Sequence, residues 1–164
     1  MAEDLVIIEG TKDEQYTGVS RQIEALMTDR ADWVANLGNF CAALKEQFGW
    51  LWVGFYLAKN ENELILGPFQ GPVACTFIRK GKGVCGTTWA TEKTTVVPDV
   101  DQFPGHIACS SLSKSEIVVP FWKDGTVIGV LDIDSAAYNS FDDTDAQWLE
   151  KMVDSIPRPD YFFN

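Results

Sequence analysis

Three of the chain's four cysteines, Cys75, Cys85 and Cys109, lie outside any clear periodic element. Their settings are Gly-Pro-Val-Ala-Cys75-Thr, Gly-Lys-Gly-Val-Cys85-Gly and His106-Ile-Ala-Cys109-Ser-Ser. Thiolate is the reactive form of cysteine, and a cation or a helix N-terminus favours it. Cys85 follows Lys80 and Lys82 and precedes a short helical stretch, Thr87 to Glu92. Cys109 follows the chain's only histidine, His106. On residue chemistry alone either can be a nucleophile, and each can also be an inert thiol. A zinc site built from Cys75, Cys85, Cys109 and His106 is the rival use of the same residues. No CxxC pair is present to limit the entropy lost on closing such a site, so no metal is expected. Cys41 falls on the apolar stripe of a helix and reads as a small buried hydrophobe.

Carboxylates form the second constellation. Asp132 and Asp134 stand two apart at the end of a β run, and Glu116 begins the run expected to pair with it. A period of two puts Asp132 and Asp134 on one face. They are either solvated strand ends or the wall of a negative pocket suited to an amine. If two of them crowd, one holds a proton near neutral pH and can act as an acid. Trp52 and Tyr56 also share a face, four apart in a run of apolar and aromatic residues. Core packing is their plainer use. Gly81-Lys82-Gly83 lacks the spacing of a phosphate loop.

These residues need a scaffold, and the composition provides for one. A chain of 164 residues suits a single domain. Its hydrophobic fraction of 46% and charged fraction of 23% are those of a folded chain rather than a disordered one. With 13 basic and 24 acidic residues the net charge is −11, which disfavours nucleic acid as a partner. No apolar run reaches the roughly 18–20 residues of a membrane span. The first residues have no basic segment ahead of an apolar one, so no secretory leader is expected and the expected location is the cytoplasm.

Periodicity supplies the elements. Residues 1–16 are acidic and read as an arm or a short docking segment. A first helix covers Val19 to Met27. Trp33, Val34, Leu37, Phe40, Cys41, Leu44 and Phe48 form one stripe of a second helix, capped by Asp29 or Asp32 and ended by Gly49. Trp50 to Leu57 and Leu64 to Leu66 form a hairpin that Gly67-Pro68 breaks. One short strand is expected within Val73 to Ile78 and another at Thr94 to Val97. Asp99 to Ser115 reads as a long loop, a length more often functional than idle. Ile117 to Phe121 and Thr126 to Ile133 flank Asp124-Gly125, a strong hairpin signal. A last helix follows Phe141, capped by Ser140 or Asp142 and stopped by Pro157 and Pro159. The order implies an α+β fold with helices on one face of an antiparallel sheet.

Several stretches together resemble the free methionine-(R)-sulfoxide reductases, small stand-alone GAF-domain enzymes. They are Gly67-Pro68-Phe69-Gln70-Gly71 with Ala74-Cys75, then Gly81-Lys82-Gly83-Val84-Cys85-Gly86, then Gly105-His106-Ile107-Ala108-Cys109. Ser115 to Pro120 and Gly129 to Ser135 complete the set. The resemblance runs from about Tyr16 to Val153. It implies a GAF domain over 17–156, between an N-terminal arm at 1–16 and a tail at 157–164. It implies a six-stranded antiparallel sheet with helices packed on it and a loop over a small pocket. It also implies roles. Cys109 attacks the sulfoxide sulfur, Cys75 resolves the resulting sulfenic acid as a disulfide, and Cys85 is the auxiliary resolving thiol. Trp52, Tyr56, Glu116, Asp132 and Asp134 bind substrate. Thioredoxin is the implied external reductant, no cofactor is needed, and a homodimer is the implied assembly. The rival readings are a non-catalytic GAF ligand sensor, which has no need of three loop cysteines, and a thiol redox switch.

Overall fold

The aromatic and β-branched run after Gly49 forms the middle of a sheet. Strand β1 (Trp52–Ala58) pairs on one side with β2 (Glu63–Gln70) and on the other with β6 (Thr126–Ser135). Strands β3 (Phe77–Arg79), β4 (Thr95–Val97) and β5 (Ser115–Lys123) complete six strands in the order β3-β2-β1-β6-β5-β4. Every pairing is antiparallel. This computed structural model describes residues 4–27, 33–107 and 110–158. The expected Asp29 or Asp32 cap lies outside those residues.

The β5–β6 hairpin is long, running from Ser115↔Ser135 to Lys123↔Thr126 with one register shift between Phe121 and Trp122. Its turn is Asp124 and Gly125, both at positive φ (49° and 75°), the handedness that matches strand twist. The expectation for Gly67-Pro68 is corrected: β2 continues through both residues. Gly54↔Phe69 is followed by Tyr56↔Leu66, so β2 carries one residue more than β1 at this point. A bulge tolerates the missing N–H of Pro68, and Gly67 lets the Phe55 carbonyl approach, which a Cβ would meet at 2.9 Å.

Helices α1 (Lys12–Leu26), α2 (Trp33–Phe48) and α4 (Asp143–Ser155) cover one face of the sheet. Leu37, Phe40 and Leu44 of α2 and Leu149, Met152 and Val153 of α4 pack on Val53, Phe55, Ile117, Val119, Leu131 and Ile133. Each such side chain contributes about 1.5–3 kcal/mol when fully buried. Gly49, at φ 67°, ends α2 and donates to the Lys45 carbonyl at 2.8 Å. Of the two expected caps for α4, Asp142 does the work. Its carboxylate accepts from the amides of Thr144 and Asp145, and Asp145 answers with a capping box.

Two expectations change. The first helix starts at Lys12, inside the segment read as an arm, and Tyr16 is fully buried. Its hydroxyl donates to Asp145 Oδ1 at 2.8 Å, and Lys12 Nζ contacts both Asp142 and Asp145. Ahead of α1 the chain docks through side-chain amides. Gln47 pairs with both backbone polar groups of Ile8, and Gln22 with both of Val6. The second change concerns α3 (Gly83–Thr91), which packs on the opposite face from the other three helices. Val84, Cys85 and Trp89 of α3 meet Trp52, Tyr56, Val118 and Val130 there. This short helix is buried on most sides, so it has no amphipathic stripe to give it away.

Candidate active site

The face that carries α3 is where the chemistry gathers. Trp52, Gly54 and Tyr56 alternate onto it from β1. Register does the rest: Trp52 is the Cα partner of Asp134, and Asp134 is the partner of Glu116. One step along, Gly54 is the partner of Asp132 and Asp132 of Val118. The three acids therefore stand on one face of two neighbouring strands, beside the two aromatics.

Gly54 gives the aromatics their positions. A Cβ there would meet Trp52 Cη2 at 2.3 Å and Phe69 Cβ at 2.4 Å. The missing side chain lets the indole fold along the strand, stacked on Phe69 (5.3 Å) and Tyr56 (5.9 Å). Trp52 Nε1 donates to the Pro72 carbonyl at 3.1 Å, and the Tyr56 hydroxyl donates to the Cys75 carbonyl at 3.0 Å. Both bonds tie β1 to the segment between β2 and β3. Cys75 itself is half-buried in that segment.

Together these groups line one small pocket. The first turn of α3 closes one side with Gly83, Val84 and Cys85. Cys85 thus lies inside the helix, and not ahead of it as the sequence suggested. First-turn amides lack partners within their helix, so this side offers donors to an anion. His106 and Ser113 come from the long loop between β4 and β5. The Ser113 hydroxyl donates to Asp134. His106 Nε2 lies 3.7 Å from Glu116 Oε2. Burial keeps the imidazole below its usual pKa, hence neutral at pH 7, so this contact is not an ion pair.

Electrostatics separate the acids. Glu116 is held well above the usual carboxyl range by burial, then by the charges of Asp132 and Asp134. Asp132 is raised by burial and by Asp134, against hydrogen bonds with Cys85 and Glu116. The Glu116–Asp132 pair therefore keeps a proton near neutral pH. Asp134 rises only to about 6, because the Ser113 hydroxyl opposes its burial. The Cys85 thiol is pushed well above its ordinary value by burial and by Asp132 and Glu116, and stays protonated. Cys85, Glu116 and Asp132 each place a donor atom within 4.8 Å of the others.

The structure thus brings Trp52, Tyr56, Cys85, Glu116, Asp132 and Asp134 to one pocket, with Cys75 at its border. Cys109, the expected nucleophile, lies outside the described residues. Sequence reasoning missed Ser113 and Gly54. Glycine inside a strand signals close approach of other groups, so Gly54 was findable. Ser113 sits in an aperiodic polar loop that carries no such signal.

The GAF domain family matches residues 34–156 of this chain. The chain is 62% identical over 153 residues to GAF domain-containing protein A of Dictyostelium discoideum, spanning 93% of this chain and 97% of the relative. It is 46% identical over 153 residues to the free methionine-R-sulfoxide reductase of Saccharomyces cerevisiae, spanning 88% and 85%. Among solved structures, it is similar to the free methionine-R-sulfoxide reductase from Neisseria meningitidis in complex with its substrate. That likeness has a TM-score of 0.92 at 53% identity, covering 96% of this chain and 94% of that one.

Proposed function

The chain belongs to the GAF-domain family of free methionine-R-sulfoxide reductases, and on that premise we propose that it reduces free L-methionine-(R)-sulfoxide to L-methionine by a cysteine sulfenic acid route. The observation that carries the proposal is the pocket itself, where a protonated acid pair and an aromatic wall meet in one small cavity.

In the first step the Cys109 thiolate attacks the sulfoxide sulfur. Oxide is a poor leaving group, so Glu116 delivers the proton of the acid pair to the sulfoxide oxygen. The bond that the attack formed between Cys109 Sγ and the substrate sulfur then breaks together with the substrate S–O bond as the hydroxyl passes to Cys109, so methionine departs and Cys109 is left as sulfenic acid. The substrate sulfur gains two electrons and Cys109 loses two (roughly the first rung of thiol oxidation). The Cys75 thiol then attacks the sulfenic sulfur, water leaves and a Cys75–Cys109 disulfide forms. A dithiol reductant of the thioredoxin class reopens it by exchange. This pairing is supported by the other thiols, since Cys41 and Cys85 are both free and buried. Burial raises the pKa of both, so neither competes as a nucleophile. Cys85 serves as an auxiliary resolving thiol only when the pocket opens.

Binding divides by charge. Asp134, the most easily ionised of the three acids, takes the substrate ammonium. The first turn of α3 takes the carboxylate, and Trp52 with Tyr56 encloses the methyl end. No helix among the described residues is long and apolar enough to cross a membrane; we assign the enzyme to the cytoplasm, as a homodimer.

A coupled thioredoxin–NADPH assay with the separated diastereomers of free methionine sulfoxide tests the proposal. Turnover of the R form alone is expected, and an N-acetylated, C-amidated substrate should be refused. No turnover of either diastereomer by fully reduced protein would favour a ligand sensor instead.

A further inference from the structure

Cys75 sits in a segment that the sheet holds mainly by hydrogen bonds. Residues 71–76 join β2 to β3 without regular structure. Val73, in the middle, is 88% exposed, so its branched side chain anchors nothing. The Thr76 carbonyl already belongs to the sheet, accepting from the Leu66 amide of β2 at 3.0 Å. Side chains of β1 reach the rest. Trp52 Nε1 donates to the Pro72 carbonyl, and the Tyr56 hydroxyl donates to the Cys75 carbonyl at 3.0 Å.

The Tyr56 bond is the informative one. The side chain is 1% exposed. Burial, then the charges of Asp132, Cys85, Asp134 and Glu116, push its hydroxyl pKa upward, so it stays a donor across the physiological range. Three acids stand close enough to act on this hydroxyl, yet its single proton goes to the backbone of Cys75. An aromatic wall for a methyl group needs the ring and has no use for the oxygen.

We propose that the Tyr56 hydroxyl is a positioning group for Cys75 and that it sets the rate of the resolving step. The inference rests on the sulfenic acid route proposed above. In that step the Cys75 sulfur attacks the Cys109 sulfenic sulfur and an S–S bond forms. The sulfenic S–O bond breaks, and hydroxide leaves as water with the Cys75 proton. Such an attack depends on distance and line of approach, and a misplacement of about 1 Å can cost on the order of 10²-fold. A carbonyl fixed to β1 fixes the backbone from which the Cys75 thiol projects. The strand that walls the substrate pocket thus also sets where the second thiol waits.

The test supplies oxygen from hydrogen peroxide, so it does not depend on sulfoxide binding. Tyr56→Phe is made in a Cys85→Ser background, which leaves Cys75 as the resolving thiol. One equivalent of peroxide oxidises Cys109 by two electrons and is itself reduced to water. Samples quenched over time, with and without dimedone, are alkylated and read by mass spectrometry. The Cys85→Ser parent should pass to the Cys75–Cys109 disulfide, and Cys75→Ser/Cys85→Ser should stop at the dimedone-trapped sulfenic acid. Tyr56→Phe should form the disulfide at least about tenfold more slowly than the parent, as expected for a misplaced thiol. Trapped sulfenic acid should accumulate meanwhile, which a merely less stable protein would not show. Circular dichroism establishes that the variant is folded. If it is not, Trp52→Phe, which removes the bond to Pro72, takes its place with the same expectation. Disulfide formation at the parental rate in the folded variant overturns the inference. Absence of trapped sulfenic acid in Cys75→Ser/Cys85→Ser is a different failure. It removes Cys109 from the nucleophilic role, and the inference falls with that reading.

Discussion

Glu116 and Asp134 stand directly opposite each other on β5 and β6, with Trp52 in register on the far side of Asp134. Two acids in this arrangement repel each other when both are ionised. The site thus holds its acids at the expense of stability, on the long β5–β6 hairpin.

The first prediction concerns pH and Asp134. Its ordinary pKa of 3.8 rises to about 6 in the fold. The folded state therefore binds more protons than the unfolded one between those values. Stability is fully present below about pH 4 and falls as pH rises through 6, by about 2–3 kcal/mol from this group. Asp142 lies outside that window, since Lys12 holds it down to about 2 and its contribution is lost only in stronger acid. Urea unfolding of wild type and Asp134→Asn at pH 4.5 and 7.5 should show the variant gaining relative stability at the higher pH. An unchanged difference between the two proteins would mean that Asp134 titrates normally.

Removing the acid should separate catalysis from folding. Glu116→Gln keeps the shape of the side chain but cannot donate the proton that the buried pair holds. General acid catalysis is worth about 10²–10⁴-fold, so kcat should fall at least 100-fold. The melting temperature should hold, because the carboxyl that is replaced already carries a proton and is neutral like the amide. Near-normal kcat in Glu116→Gln would leave the oxide without its assigned proton donor.

Gly54→Ala tests how the aromatic wall is made. The new methyl would stand 2.3 Å from Trp52 Cη2 and 2.4 Å from Phe69 Cβ, so the indole or the strand must shift. Overpacking of this kind costs about 1–3 kcal/mol. The expected signature is a rise in KM larger than the fall in kcat, with altered tryptophan fluorescence on substrate addition. A variant with wild-type stability and KM would show that the wall does not depend on this glycine.

The cysteines should differ sharply. Cys109→Ser should abolish turnover, and Cys75→Ser should allow the first step while blocking reduction by thioredoxin. Cys85→Ser should keep substantial turnover, since its thiol is buried and protonated in the closed pocket. Single-turnover release of methionine, measured beside steady-state rates, checks all three. Full activity in Cys109→Ser would remove that residue from the nucleophilic role.

The elements with local causes were legible in the sequence. The α2 stripe, the Asp124-Gly125 hairpin and the Asp142 cap each depend on residues within one or two turns of one another. The GAF resemblance also came from contiguous motifs, and it extended to the six-stranded sheet. Errors fell where long-range contact overrides local preference. Gly67-Pro68 stays in a strand because β2 bulges there against β1, and α3 forms against a sheet face that no periodicity announced. The pairing of Asp132 with Asp134 on one face followed from period two alone. That Glu116 and Cys85 close over them, and that Asp132 Oδ1 is left without a partner, was decided by register and by helix docking. Spacing along a chain fixes which side chains share a face, whereas burial, and the proton each acid therefore keeps, depends on what the rest of the fold lays over that face.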